Sequence, residues 1–284
     1  MSLKHYVYLW FSLTAYLAFE HWALNYNHAL SLVFYLQNRG AILQRVNLST
    51  DAGRPLSYAL GCLGIGLILM TNLYVLRRRM ALLKKVGSVQ GWLNFHIFCG
   101  MFGPSCIIFH SDFKVRGLVG ISFWSMMIVA VSGIIGRYIY VQIIRQEQTN
   151  SKATQKWERK LDQYRDRSAN PVSERAFTKI KQQSLRFVGV PRNPEKASLF
   201  VILVGSIIGD IRLIFSEPLA WPQFPDSSRY ALSNYALAMR KSILIGPFQT
   251  MFGYWHSFHL PFAFFMYVAA VIHIAAALMF GITN

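Results

Sequence analysis

The chain has 284 residues, of which 54% are hydrophobic, 15% aromatic and only 14% charged. Ordinary soluble domains carry about 25% charged residues, so this composition excludes that class and points to a membrane protein. A formal net charge of +17 would suit nucleic acid, but the Lys and Arg cluster between apolar runs, as they do in cytoplasmic membrane loops, and no nucleic-acid role is expected.

The N-terminal stretch places one Lys ahead of an apolar core longer than the roughly 7–15 residues of a cleavable leader, and reads as an uncleaved signal anchor. Requiring about 20 apolar residues per crossing predicts six spans, at 5–24, 56–76, 91–110, 118–141, 197–215 and 256–280. The expected fold class is an all-α membrane protein, a six-transmembrane helix bundle forming one domain over 1–284. The first span ends on Glu20 and His21. The fifth is the weakest, because Asp210 and Arg212 interrupt it near its C-terminal end.

Loop charges set the expected orientation. Residues 76–85 hold five basic residues and no acid, and 145–196 holds thirteen basic against six acidic residues. The loops at 25–55, 111–117 and 216–255 are milder. The positive-inside rule places the two basic loops, and with six spans both termini, in the cytoplasm. Segment 145–196 is expected to be partly helical, serving orientation and anionic lipid or docking an acidic redox partner. Segment 216–255, with interface-type Trp and Tyr and several Pro, is expected to be a structured outer loop. Cys62, Cys99 and Cys106 form no CxxC and read as small buried hydrophobes.

Histidine carries the functional signal. His96 and His110 lie fourteen residues apart on the third span, and His259 and His273 repeat that spacing on the sixth. Fourteen helical residues advance four turns less about 40° and rise about 21 Å, so each pair marks one helix face at two depths. Eight histidines in 284 residues give only about 0.2 chance pairs at one chosen spacing, and ionisable groups at membrane depth are functional by default. With six spans the third and sixth run in opposite directions. That predicts an inner pair, His96 with His273, and an outer pair, His110 with His259. Facing imidazoles at two depths suit two bis-histidine haems.

Other residues are secondary candidates. Arg137, at the cytoplasmic end of the fourth span, is a partner for inner haem propionates, and Lys114 and Arg116 for outer ones; each is also a plausible interface anchor. Glycines 61, 64, 66, 100, 103, 133 and 136 suit close approach of a macrocycle or of another helix. Pro104 should kink the third span. His256 competes with His259 for the outer site, the spacing favouring His259. Glu20 with His21, near His28, is either a polar interfacial pair or part of a proton-linked quinone pocket. His5 is expected to be solvated.

On these four histidines and their spacing, the chain resembles the membrane dihaem cytochromes b: respiratory cytochrome b, the cytochrome b subunits of formate dehydrogenases and hydrogenases, and ferric reductase and NADPH oxidase transmembrane domains. The resemblance covers the last four spans. It implies two haem b groups and electron transfer across a bacterial-type inner membrane, between a quinone pool or redox subunits and an acceptor. In respiratory cytochrome b and the ferric reductases one span separates parallel ligand helices, whereas six spans here put two between antiparallel ones. No GxGxxG fingerprint occurs, so electrons are expected from quinol or a separate protein. The rivals are an outer-face ferric or other metal reductase, a haem-free cation transporter lined by the histidines, and an anchor for a cytoplasmic enzyme docked on 145–196.

Overall fold

A computed structural model describes residues 2–115, 117–147, 151–166, 173–215 and 226–281, and these residues form helices without strands. In chain order the helices are α1 (Leu3–Tyr26), α2 (Leu32–Asn38), α3 (Pro55–Met70), α4 (Asn72–Arg79), α5 (Ala81–Lys84), α6 (Val89–His110), α7 (Gly117–Glu147), α8 (Ser151–Asp166), α9 (Glu174–Phe187), α10 (Leu199–Phe215) and α11 (Asp226–Gly281). Among the described residues four helical stretches are long and apolar enough to cross a membrane: Pro55–Arg79, Val89–His110, Gly120–Ile144 and Arg229–Met279. Four of the six predicted crossings fall on these stretches; the residues read as a fifth span form α10, which runs to the edge of the described residues at Phe215, and those read as the first span form α1.

The chain divides into two compact units rather than one domain. The first comprises 1–134 and 259–284, the second 135–258.

In the first unit α3 and α6 pack as an antiparallel pair. A Cβ placed on Gly64 would lie 3.0 Å from the Gly103 carbonyl oxygen, and one on Gly103 would lie 3.0 Å from that of Gly64. Small residues are what let two helix backbones approach this closely where lipid offers no hydrophobic drive to associate. Ser88 caps α6 by accepting from Gly91 N at 3.1 Å, and the helix runs through Pro104 to His110. There Asp112 and Phe113 adopt left-handed backbone (φ 49° and 58°), which turns the chain toward α7. Beside α6, α1 runs in the same direction: Tyr6 meets Phe98, Trp10 donates to Ser105 Oγ at 3.1 Å, and His21 meets Phe109. Glu20 is buried and caps α2, accepting from Ser31 Oγ and from the backbone of Leu32 and Val33.

In the second unit α8 and α9 bury Leu161, Phe177 and Ile180 against Ala231, Leu232 and Tyr235 at the start of α11. A second cluster joins Ile139, Val188, Val190 and Ile202 to Leu244 and Phe248. Residues 226–255 are therefore helix packed in one unit with most of the basic 145–196 segment. The expected outer loop is corrected for the part that is described; residues 216–225 lie outside the described residues.

Candidate functional site

All four span histidines fall in the first unit, half-buried, with neighbours that settle ring orientation for three of them. His96 Nδ1 lies 2.9 Å from the Thr71 carbonyl oxygen, at the break between α3 and α4, and its ring sits 5.6 Å from that of Tyr74. His110 Nδ1 lies 2.8 Å from the Ser57 carbonyl oxygen, and Ser57 Oγ donates to the His110 carbonyl at 2.8 Å. A carbonyl can only accept, so both rings carry their proton on Nδ1 and turn the Nε2 lone pair outward. His259 Nδ1 lies 2.7 Å from Ser132 Oγ, whose own hydroxyl donates to the Val129 carbonyl at 2.9 Å. Ser132 thus receives the Nδ1 proton, and the same tautomer results.

The contacts also fix the levels. Along α3 and α6, Gly61 meets His110, Gly64 meets Ile107, and Thr71 meets His96. Along α7 and α11, Ser132 meets His259, while Met126 and Met266 share a buried cluster with Ile68. Residue numbers on α11 rise as those on α7 fall, so the two are antiparallel, and α6 and α7 are joined by a short reversal. The membrane half of α11 therefore runs parallel to α6. Ile68 is the common marker, since a Cβ on Gly103 would lie 2.9 Å from its Cγ1 and it clusters with Met266. Gly103 and Met266 are the midpoints of the two histidine pairs, each seven residues, or about 10 Å, from either end. His96 and His259 consequently share one level. His110 and His273 share the other.

This overturns the expected pairing of His96 with His273 and of His110 with His259. The physical reason is helix direction: Ser132 on His259, and Met126 with Met266 around Ile68, run the membrane half of α11 against α7 and along α6. The expected antiparallel arrangement is corrected to parallel.

Haem needs two axial nitrogens per iron, an oriented lone pair on each, and space for a flat ring. The donor set fits. Three of the four imidazoles are held with Nε2 as the lone-pair nitrogen, and His273 makes no hydrogen bond among the described residues. At the His96 and His259 level, a Cβ on Gly100 would make ordinary contact with Thr71 Cγ2 at 3.9 Å and one on Gly133 with His259 Cε1 at 3.9 Å, so neither glycine is pressed against another helix's backbone. Gly61, Gly64 and Gly103 instead serve close contact between α3 and α6.

The secondary candidates separate. His256 is exposed and lies in the second unit, so the local contacts single out His259. Arg137 also belongs to the second unit, where its guanidinium lies 5.7 Å from the Tyr140 ring centroid. Arg116 lies outside the described residues. Lys114 is exposed and pairs with Asp112 at 2.7 Å and Asp51 at 3.3 Å; hydrogen bonds from these carboxylates, Asp112 foremost, raise its pKa. His21 lies 3.6 Å from Asp112, and its neighbour Glu20 is occupied in capping α2. Cys62 is exposed rather than buried, while Cys99 and Cys106 are buried.

Tyr267 was absent from the sequence reading. Its hydroxyl donates to the Ile68 carbonyl at 3.0 Å and accepts from Asn72 at 2.8 Å, docking α11 on the α3–α4 break whose carbonyl orients His96. Ser57, Thr71 and Ser132 were missed as well. The signal that could have found them is a hydroxyl residue inside an otherwise apolar span.

Comparison with known proteins adds nothing to these residues: no protein-family model, curated protein or solved structure matches the chain.

Proposed function

We propose that the protein is a membrane dihaem cytochrome b, an electron conduit holding one haem between His96 and His259 and a second between His110 and His273. The observation that carries this reading is the coincidence of two histidine pairs on parallel helices at matching levels, with Nδ1 engaged on three of the four rings. Parallel ligand helices separated by one crossing are also what the resemblance to respiratory cytochrome b implies.

Bound haem iron would supply reversible one-electron chemistry. The chain's own residues would supply the rest. His96, His259, His110 and His273 bind; Thr71, Ser57 and Ser132 orient the rings by accepting their Nδ1 protons; and the apolar helix faces keep water from the sites. Accepting those protons raises ligand basicity, which is how the protein would set the two potentials.

A haem-free cation pathway is the weaker reading. The histidines come in pairs, and among the described residues no group of three or more His, Cys, Asp or Glu gathers into a site for a bare ion. Haem iron takes only two ligands from protein, whereas a bare transition metal is usually held by three or four.

With the basic residues at 77–85 and in 145–196 on the cytoplasmic side, His96 and His259 form the inner level and His110 and His273 the outer one. The C-terminus then lies outside, opposite to the six-span expectation. The setting is a bacterial-type inner membrane. The partners are a quinone pool or redox subunits, with exposed Lys156, Lys160 and Arg175 available to an acidic protein.

The test is a reduced-minus-oxidised spectrum of the purified protein with haem extraction and counting. A bis-imidazole b-type α band with two haems per chain supports the reading, and protein that binds no haem sinks it.

A further inference from the structure

The break between α3 and α4 carries more hydrogen bonds than a simple helix end, and its contacts lead to His96. α3 stops at Met70 and α4 starts at Asn72, with Thr71 between them, inside the apolar stretch Pro55–Arg79. A helix break at membrane depth persists only where neighbouring groups satisfy the backbone it frees. Here the Ile68 carbonyl accepts from Thr71 N at 3.2 Å, from Thr71 Oγ1 at 2.6 Å and from Tyr267 Oη at 3.0 Å. Asn72 Nδ2 donates to the Leu69 carbonyl at 3.2 Å and to Tyr267 Oη at 2.8 Å. The Tyr267 hydroxyl thus donates to Ile68 and accepts from Asn72, and ties both sides of the break to one oxygen. The peptide unit that joins Thr71 to Asn72 lies between those ties, and its oxygen is the Thr71 carbonyl.

Two contacts run from this segment to one imidazole. The Thr71 carbonyl accepts from His96 Nδ1 at 2.9 Å, and the Tyr74 ring lies 5.6 Å from the His96 ring. The far end of α4 is fixed separately. Arg77 is buried and donates to the Val86 carbonyl at 3.1 Å and the Gly87 carbonyl at 3.2 Å, beside the Ser88 cap of α6. At the other histidine level Nδ1 of His110 is held by Ser57, fourteen residues from Thr71 and about 21 Å away along α3. The break therefore acts on one histidine level and not on both.

We propose that Tyr267 is the positioning residue of the His96–His259 site, its hydroxyl holding the Thr71 carbonyl against His96 Nδ1 without itself touching the iron. This assignment rests on the cytochrome reading. A carbonyl that accepts the Nδ1 proton raises the basicity of the ligating nitrogen, so a hydroxyl that aims the carbonyl bears on the midpoint potential. The aromatic ring has a different task, because it packs on the Ile68, Met126 and Met266 cluster. Tyr267→Phe keeps that packing and removes only the two hydrogen bonds.

The experiment uses the full chain, purified in detergent, with two readouts. In redox titration Tyr267→Phe should retain two haems. The component that His96→Ala abolishes should move to higher potential, by about a threefold to tenfold change in the preference for oxidised iron, less than the roughly 10–100-fold cost of losing a direct partner of a ligand. The other component should not move. In amide hydrogen exchange, residues 71–76 should exchange about tenfold faster in the variant, with 56–64 unchanged. Asn72→Ala, which takes away one of the two ties, should shift both readouts the same way by less, and it decides the matter if Tyr267→Phe does not fold. Two haems with unmoved potentials overturn this assignment alone, as do equal shifts of both components, which would mean general loosening. Unchanged exchange at 71–76 overturns it too. Wild-type protein without haem would instead sink the cytochrome reading, and this assignment with it.

Discussion

The hydroxyl of Ser132 lies 2.7 Å from Nδ1 of His259. That one contact sets the register between α7 and α11. Together with the meeting of Met126 and Met266 around Ile68, it makes α11 parallel to α6 and pairs the histidines by level.

The pairing is open to direct measurement. His96→Ala and His259→Ala should each abolish the same haem, and His110→Ala and His273→Ala the other, read as the loss of one of two potentiometric components. Loss of a common component in His96→Ala and His273→Ala would restore the antiparallel arrangement.

Gly61 faces the His110 ring across α3 and α6. A Cβ there would fall 2.8 Å from Nδ1 and 2.9 Å from Cε1, nearer than van der Waals contact permits. Gly61→Val should push the ring off the Ser57 carbonyl and remove the haem proposed at His110 and His273. The one proposed at His96 and His259, about 21 Å away along α6, should be retained in the same spectrum.

Ser132→Ala removes the acceptor of the His259 Nδ1 proton. Less basic imidazole favours the reduced iron, so the midpoint of the His96–His259 haem should rise, with haem affinity down by about tenfold. Ser132→Thr keeps the hydroxyl and should restore both. A potential that does not move in the alanine variant would show that the contact leaves the ligand's basicity untouched.

In the second unit Asp210 accepts from Arg240 at 2.7 Å, from Tyr138 Oη at 2.7 Å and from Gln142 at 2.8 Å. Arg240 is buried, so Asp210→Asn leaves its charge without a counter-ion at a cost of about 3 kcal/mol. The expected outcome is a lower unfolding temperature in detergent, with recovery when Arg240→Met is added. The double variant separates loss of the ion pair from a stranded buried charge.

Asp210 also shows why part of the architecture was legible in sequence and part was not. An acid near the end of an apolar run is compatible with an interfacial position, and hydropathy counts it so. The coordinates instead pair it with a residue thirty positions away. Tyr267 is a similar case: a tyrosine in an apolar span carries no mark of its partners, and only the fold brings it to Asn72 and the Ile68 carbonyl.

Composition and period are local quantities, and they alone determined that the chain is a helical membrane protein with two histidine pairs fourteen residues apart, each along one helix. Which histidine shares a level with which is a question of helix direction. Only the tertiary structure decided it, through Ser132 on His259 and through Met126 and Met266 meeting around Ile68. Contacts between residues far apart in sequence leave no periodic trace, so no reading of the spans one by one could have found them.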